Sequence, residues 1–344
     1  MKIEENVSLA AHSTMRLGGN ARYLADVNNQ QELQELIAWA KPYNLPVIMI
    51  GRGSNIIWRD EGFNGLVLVN KIMGKALLAE DNHSATLKIF SGENWDKTVG
   101  WAVDKKLTGI EYMSLVPGTV GAAPVQNVGA YGGELSDSLL ELEAYDNQFG
   151  AFVKLQNHEC GFSYRSSRFK TTDRGRFFII SITLTLRKTD PVPPFYESLQ
   201  RYLDEHGIHK YTPKTIRKAV IDIRQNKLPD PEKVANNGSF FTNPVVDTAK
   251  FEALRAKYPD IKGWPTSDGR MKIAAGWLVE TAGFKGVRDE PTGMATWPAQ
   301  ALVLVNEHAR RTTDLLEFKQ KILFKVEELF DVILEQEPEL LPQI

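Results

Sequence analysis

Residues 115–134 contain five glycines and three alanines, and prolines at 117 and 124 stiffen the path between them. A run so poor in large side chains cannot build a core of its own, yet its bare backbone can approach a large flat ligand closely. The plain alternative is a flexible surface linker. A linker would be richer in Ser, Lys and Glu, and would not interleave Val120, Val125 and Val128. The run therefore reads as a ligand-contacting loop, held on a scaffold that the rest of the chain must supply.

A shorter loop precedes it. Residues 47–50 form an apolar strand that runs into Gly51, Arg52, Gly53, Ser54 and Asn55. Two glycines leave this turn without Cβ atoms, so successive backbone N–H groups can face one anion. It is not the dinucleotide fingerprint, because Ile56 takes the third glycine's place, and not a P-loop, because no Lys-Ser/Thr pair follows. Residues 56–58 read as strand, so an anion held here relies on loop amides and not on a helix dipole. Alone, the segment reads equally well as a plain β-turn.

The chain of 344 residues exceeds what one hydrophobic core usually serves, which points to two or three domains. Forty-one basic side chains balance forty-three acidic ones with no block of like charge, so neither nucleic acid nor an anionic membrane is expected as a partner. The single cysteine, Cys160, has no internal disulfide partner, and residues 1–6 lack the apolar core of a signal peptide. Both features fit a cytoplasmic protein. The longest apolar stretches, such as 301–305, fall far short of the roughly 20 residues that span a bilayer. His206 and His209 are the only close histidine pair, and without a Cys/His cluster no metal site is expected.

Periodicity supplies the scaffold. Leu33, Leu36, Ile37 and Ala40 recur at helical spacing over 31–43, and the 46–50 strand follows. Alternation marks strands at 84–90 and 177–186; in the second, Ile180, Ile182, Leu184 and Leu186 face one way and Ser181, Thr183 and Thr185 the other. An antiparallel sheet therefore occupies the middle of the chain. Residues 189–194 hold three prolines and read as a boundary or exposed loop, with a new unit beginning after it. Helical spacing returns at 214–224, 272–281 and 313–332. The fold class is α+β.

The motif Gly51-x-Gly53-Ser54-Asn55 is followed by Pro117-Gly118-x-x-Gly121-x-x-Pro124-x-Gln126-Asn127-x-Gly129-Ala130-Tyr131-Gly132 and then by Gly238-Ser239-Phe240-Phe241-x-Asn243-Pro244. In this order and spacing the chain resembles the UDP-N-acetylenolpyruvoylglucosamine reductase (MurB) family, from about Ser13 to Glu337. The resemblance implies an FAD-binding fold of the vanillyl-alcohol-oxidase (PCMH-type) class with a smaller α+β substrate-binding domain. It assigns residues 1–70 to a first FAD-binding subdomain joined by 333–344, residues 71–212 to a second, and 213–332 to the substrate. The implied activity is NADPH-dependent reduction of UDP-N-acetylglucosamine enolpyruvate to UDP-N-acetylmuramate through noncovalent FAD, a cytoplasmic step of peptidoglycan synthesis. A UDP-sugar and NADPH are then the small-molecule partners, and no obligate protein partner is expected.

Carried onto this sequence, the family's FAD contacts fall on Gly51, Arg52, Gly53, Ser54, Asn55, Pro117, Gly118, Thr119, Gly121, Ala122, Ala123, Val125, Gly129 and Arg224. The implied chemistry passes hydride to the enolpyruvyl double bond and leaves an enolate beside a carboxylate, which needs donors aimed at that charge and an acid for the adjacent carbon. Ser239 matches the protonating serine, although Asn237-Gly238-Ser239 alone would read as a turn. Arg165 matches the arginine whose charged fork holds the carboxylate and enolate oxygen. Glu337, in a Leu-Glu-x-Glu strand, matches the glutamate that helps the enolate form, with Glu335 and Glu339 as alternatives. Tyr131, Tyr164, Tyr196, Lys227, Asn243 and Gln300 correspond to contacts with the substrate's UDP and sugar, Tyr196 as the mobile tyrosine of one subtype. Thr296-Trp297 departs from the histidine common there. Two other readings stay open: an FAD oxidase of the same fold, whose usual histidine tether is missing from both glycine loops, and a flavin- or UDP-sugar-binding protein without turnover.

Overall fold

The computed structural model describes residues 2–343. The chain forms two compact units. The first comprises residues up to Val7, Ala21–Arg52 and Asn64–Gln225; the second comprises Ser8–Asn20, Gly53–Phe63 and the chain from Asn226 onward.

In the first unit, a four-stranded sheet runs in the order Glu4–Ser8, Asn20–Val27, Phe63–Asn70, Val47–Ile50, and its last two strands are parallel. The helix Gln30–Ala40 feeds the Val47–Ile50 strand. Its start is set by Asn29, whose side-chain oxygen accepts from the Glu32 N–H at 2.9 Å. Leu33, Leu36 and Ala40 bury against Leu66 and Leu68 of the sheet. A five-stranded antiparallel sheet follows, ordered Ala151–Gln156, Leu139–Asp146, Phe177–Arg187, Ser84–Phe90, Lys75–Glu80. Ile182, Leu184 and Leu186 pack with Trp95 and Val99 of the helix Trp95–Asp104. The Ser181 and Thr183 side is buried as well. There Ser181 Oγ donates to Glu143 Oε2 at 3.0 Å, and the same carboxylate oxygen accepts from Lys88 Nζ at 2.6 Å, so the polar positions are paired and not solvated.

The proline-rich segment 189–194 does not end this unit. Leu199 and Leu203 of the helix Glu197–Glu205 pack against Ile216, Ala219 and Val220 of the helix Pro213–Lys227, together with Tyr112 and Tyr131. That shared cluster keeps the chain in the first unit up to Gln225. The boundary expected at 213 falls at the start of this helix, whereas the units part near its end.

The second unit holds an antiparallel sheet ordered Ala235–Ser239, Gln300–Asn306, Met294–Trp297, Arg288–Asp289 and a three-stranded sheet of Val245–Val246, Met271–Ile273 and Gly263–Pro265. The helix expected over 272–281 is shorter, Ala275–Thr281, because Met271–Ile273 takes its hydrogen bonds from sheet neighbours on both sides. The long helix Thr312–Phe330 turns Leu315, Phe318, Ile322, Val326 and Phe330 into a core shared with Phe240, Phe241 and Leu278. Met15, Leu17 and Ile57 belong to that core, which explains why two N-terminal segments count with the last third. The strand Ile56–Trp58 pairs in parallel with Glu339–Leu341. Among the described residues no helix is long and apolar enough to cross a membrane.

Candidate active site

In the first unit the two glycine loops meet. A Cβ on Gly51 would lie 2.3 Å from Thr119 Oγ1, and one on Gly121 would lie 2.5 Å from Ser91 Cβ. A side chain at either position would have to displace Thr119 or Ser91, so glycine is favoured there by space. Gly118 is required by conformation, at φ 131°. Part of the run expected as open loop is a 3₁₀ helix, Val120–Gln126, whose Val120, Ala123 and Pro124 are buried. It is fixed to the segment that follows the Ser84–Phe90 strand by the Gly121 N–H on Ser91 O and the Val120 N–H on Glu93 O, both 2.9 Å. The exposed face of the run carries Pro117 and Ala122.

Arg165 sits in a two-residue turn closed by mutual backbone hydrogen bonds between Ser163 and Ser166, each 3.1 Å, and has φ 53°. Its Nη2 donates to Gly129 O at 2.7 Å, and its guanidinium lies 5.3 Å from the Tyr164 ring centroid. A Cβ on Gly129 would lie 2.9 Å from Gly133 O, 3.0 Å from Glu134 Cγ and 3.1 Å from Arg165 Nη1, so the glycine lets these three groups close in together. Arg224 bonds Tyr131, and burial works against its charge while Tyr131 and the Asp96 carboxylate favour it. Its Nε is buried with no hydrogen-bond partner. An unpaired guanidinium donor costs free energy unless a ligand acceptor meets it. Tyr131, at φ 50°, meets Tyr196 edge-on at 6.0 Å, and burial raises both phenols. Tyr196 stands at the N-cap position of the helix Glu197–Glu205 without a capping side-chain bond, and is 45 % exposed.

In the second unit Ser239 ends the strand Ala235–Ser239 opposite Val303, after a register shift that begins at Asn236. Gly238 takes φ 72° at that irregularity, and the Gly238 N–H donates to Asn236 Oδ1 at 2.8 Å. The segment 237–239 is thus a bulge within the strand, immediately before Phe240. Phe240 and Phe241 anchor it in the core. The Glu337 N–H donates to Phe240 O at 2.9 Å, which brings Glu337 beside the serine strand. Glu337 itself is not in a strand: Gln336 forms only an isolated bridge with Phe241, and regular pairing resumes at Glu339–Leu341. Asn243 and Gln300 converge on the Ala275–Thr281 helix. Asn243 Oδ1 accepts from the Ala275 N–H at 2.9 Å, and Gln300 Oε1 lies 3.1 Å from where a Cβ of Gly276 would stand. Lys227 is the last residue of the Pro213–Lys227 helix; desolvation and then Lys262 and Lys285 lower its ammonium. A phosphate beside these lysines would be held by charge.

Sequence reasoning passed over Asn237. Its Nδ2 lies 3.1 Å from Thr14 Oγ1, 3.4 Å from Gly53 O, 3.2 Å from Ser54 O and 3.3 Å from Ile56 O, while its buried Oδ1 has no partner. It ties the 53–56 loop to the serine strand, and no local pattern signals a contact across 180 residues. A Cβ on Gly53, at φ 70°, would lie 2.1 Å from His12 O. Within the first unit, the bare backbone of the glycine run and the unpartnered buried Nε–H of Arg224, which bonds Tyr131 of that run, suit a flat, anionic group such as FAD.

Residues 21–156 match the model of a family described as FAD binding domain, and residues 230–341 match the UDP-N-acetylenolpyruvoylglucosamine reductase C-terminal domain. The chain is 38 % identical over 340 residues to the UDP-N-acetylenolpyruvoylglucosamine reductase of Pseudomonas aeruginosa, covering 99 % of each. It is 40 % identical over 332 residues to that of Burkholderia multivorans, covering 96 % of this chain and 94 % of the relative. Among solved structures, the reductase of Thermus caldophilus is similar in fold, with a TM-score of 0.69 at 23 % identity over 99 % of this chain and 100 % of the other. These likenesses bear out the FAD-binding fold expected from the sequence.

Proposed function

The chain belongs to the UDP-N-acetylenolpyruvoylglucosamine reductase family, and from that premise we propose that it reduces UDP-N-acetylglucosamine enolpyruvate to UDP-N-acetylmuramate with FAD and NADPH, in the cytoplasm, as a step of peptidoglycan precursor synthesis. The FAD supplies hydride transfer from NADPH to the enolpyruvyl carbon. Ser239 then delivers the proton to the adjacent carbon. A serine hydroxyl is a weak acid in water, so it acts only at short range on a reactive enolate. Arg165 holds the carboxylate and the enolate oxygen with its fork, and Glu337 assists enolate formation. Tyr131, Tyr164, Tyr196, Lys227, Asn243 and Gln300 hold the UDP-sugar. In this reading residues 1–70, with 333–344, and 71–212 supply the FAD contacts other than Arg224, and 213–332 form the substrate domain, while Tyr131, Tyr164 and Tyr196 add substrate contacts from 71–212. UDP-sugar and NADPH suffice as partners.

The observation that supports the reading is the bulge at Ser239, with a positive-φ glycine before the serine, two buried phenylalanines after it, and the Glu337 N–H bonded to the Phe240 carbonyl next to it. The test is Ser239→Ala followed by stopped-flow absorbance of the flavin. Flavin reduction by NADPH is expected to survive nearly unchanged, while reoxidation by the enolpyruvyl substrate falls by at least about 10² to 10⁴. Ser239→Cys should recover part of the loss. Equal slowing of both halves, or of neither, overturns the role.

A further inference from the structure

Asp96 stands in the first turn of the helix Trp95–Asp104 and is used by none of the roles above. Its Oδ1 accepts from the Leu115 N–H at 2.6 Å and from Arg217 Nη1 at 2.6 Å, and its Oδ2 accepts from Arg217 Nη2 at 3.1 Å. Leu115 opens the glycine run in the left-handed region at φ 58°, where a leucine stays only if its surroundings hold it. Arg217 lies two turns before Arg224 on the same face of the Pro213–Lys227 helix. One carboxylate thus joins the entrance of the glycine run to the helix that carries Arg224. Its charge also favours the charged form of Arg224, which the nearby Arg165 opposes.

We propose that Asp96 is a positioning residue of the flavin site: it clamps the start of the glycine run to the arginine helix, and its charge offsets the cluster of Arg165, Arg217 and Arg224. This rests on the assignment of the glycine run and Arg224 to FAD. The two roles are separable by substitution. Asp96→Asn keeps an oxygen for the Leu115 N–H but removes the charge. Asp96→Ala removes both. Arg217→Leu opens the clamp from the helix side while leaving the Leu115 bond in place, and so covers the case in which Asp96→Ala fails to fold.

The measurements are the dissociation constant of FAD, by titrating apoprotein, and the midpoint potential of bound FAD, by spectroelectrochemistry. Asp96→Ala and Arg217→Leu should each weaken FAD binding roughly ten- to a hundredfold, the equivalent of a lost hydrogen bond to a charged group. Asp96→Asn should hold FAD within about threefold of wild type, since the loop bond survives. Its potential should rise, because a site left more positive favours the more negatively charged reduced form; a tenfold change in that preference is about 30 mV for a two-electron couple. A merely structural role would lower affinity in all three variants and leave the potential unmoved. An unchanged or lowered potential in Asp96→Asn, or undiminished affinity in Arg217→Leu, overturns the proposal. Failure of wild-type protein to take up FAD would instead sink the functional reading on which it rests.

Discussion

The contact between the two glycine loops makes a sharp prediction for Gly51→Ala. The new methyl would stand 2.3 Å from Thr119 Oγ1, with Thr119 Cβ and Cγ2 both at 3.3 Å. Clearing the hydroxyl means opening the loops by roughly 1 Å, and overpacking of this kind costs about 1–3 kcal/mol. Gly51 is not in the positive-φ region, so the cost is steric alone and removable. If FAD requires the original loop spacing, the cost appears in its affinity as a loss of about five- to over a hundredfold. Thr119→Ala removes the clashing oxygen. The double variant Gly51→Ala/Thr119→Ala should therefore bind FAD within about fivefold of Thr119→Ala alone, a coupling that a double-mutant cycle reads directly. Fluorescence titration of apoprotein with FAD is the assay. A silent Gly51→Ala, or a double variant no better than Gly51→Ala, would refute the argument, because the loops would then not be in contact as the geometry has them.

Cys160 is fully buried and its thiol is pushed up to about 12 by burial, so a thiol reagent at pH 8 should label it only on unfolding; labelling of native protein at the rate of a free cysteine contradicts the packing. Asp146, 2 % exposed, is held below the usual carboxylate range chiefly by Arg176, which donates from Nη2 at 2.7 Å and from Nε at 3.1 Å. Its folded value is depressed, so its stabilisation is complete above pH ~4 and fades as pH falls below that through the folded value. Asp146→Asn should cost about 1–3 kcal/mol at neutral pH and flatten the acid limb of a urea-midpoint-versus-pH curve; an unaltered limb counts against the pair. Finally, if NADPH and the enolpyruvyl substrate use one flavin face in turn, initial-rate plots are parallel with substrate inhibition, and intersecting plots would require two sites filled together.

Local chemistry made a good part of this protein legible in its sequence. The strands at 84–90 and 177–186, the helices near 30–40, 213–227 and 312–330, and the glycine loops each follow from periodicity or from the absence of Cβ atoms, which act over a few residues. The order and spacing of the motifs led to the family, and with it to FAD. What only the tertiary structure decided are relations between residues far apart in the chain. The Ile56–Trp58 strand closes against Glu339–Leu341, and Met15 and Ile57 join the core of the last third. Residues 213–225 stay with the first unit because Ile216 and Val220 pack on Leu199 and Leu203, where composition alone had suggested a break at the prolines. Met271–Ile273 became strand by tertiary override: two neighbouring strands satisfied its backbone in place of a helix. The Asp96 clamp and the Asn237 anchor span 121 and more than 180 residues. Aspartate in a first helical turn and asparagine before a glycine are locally ordinary, and only folding shows which distant donors and acceptors each one meets.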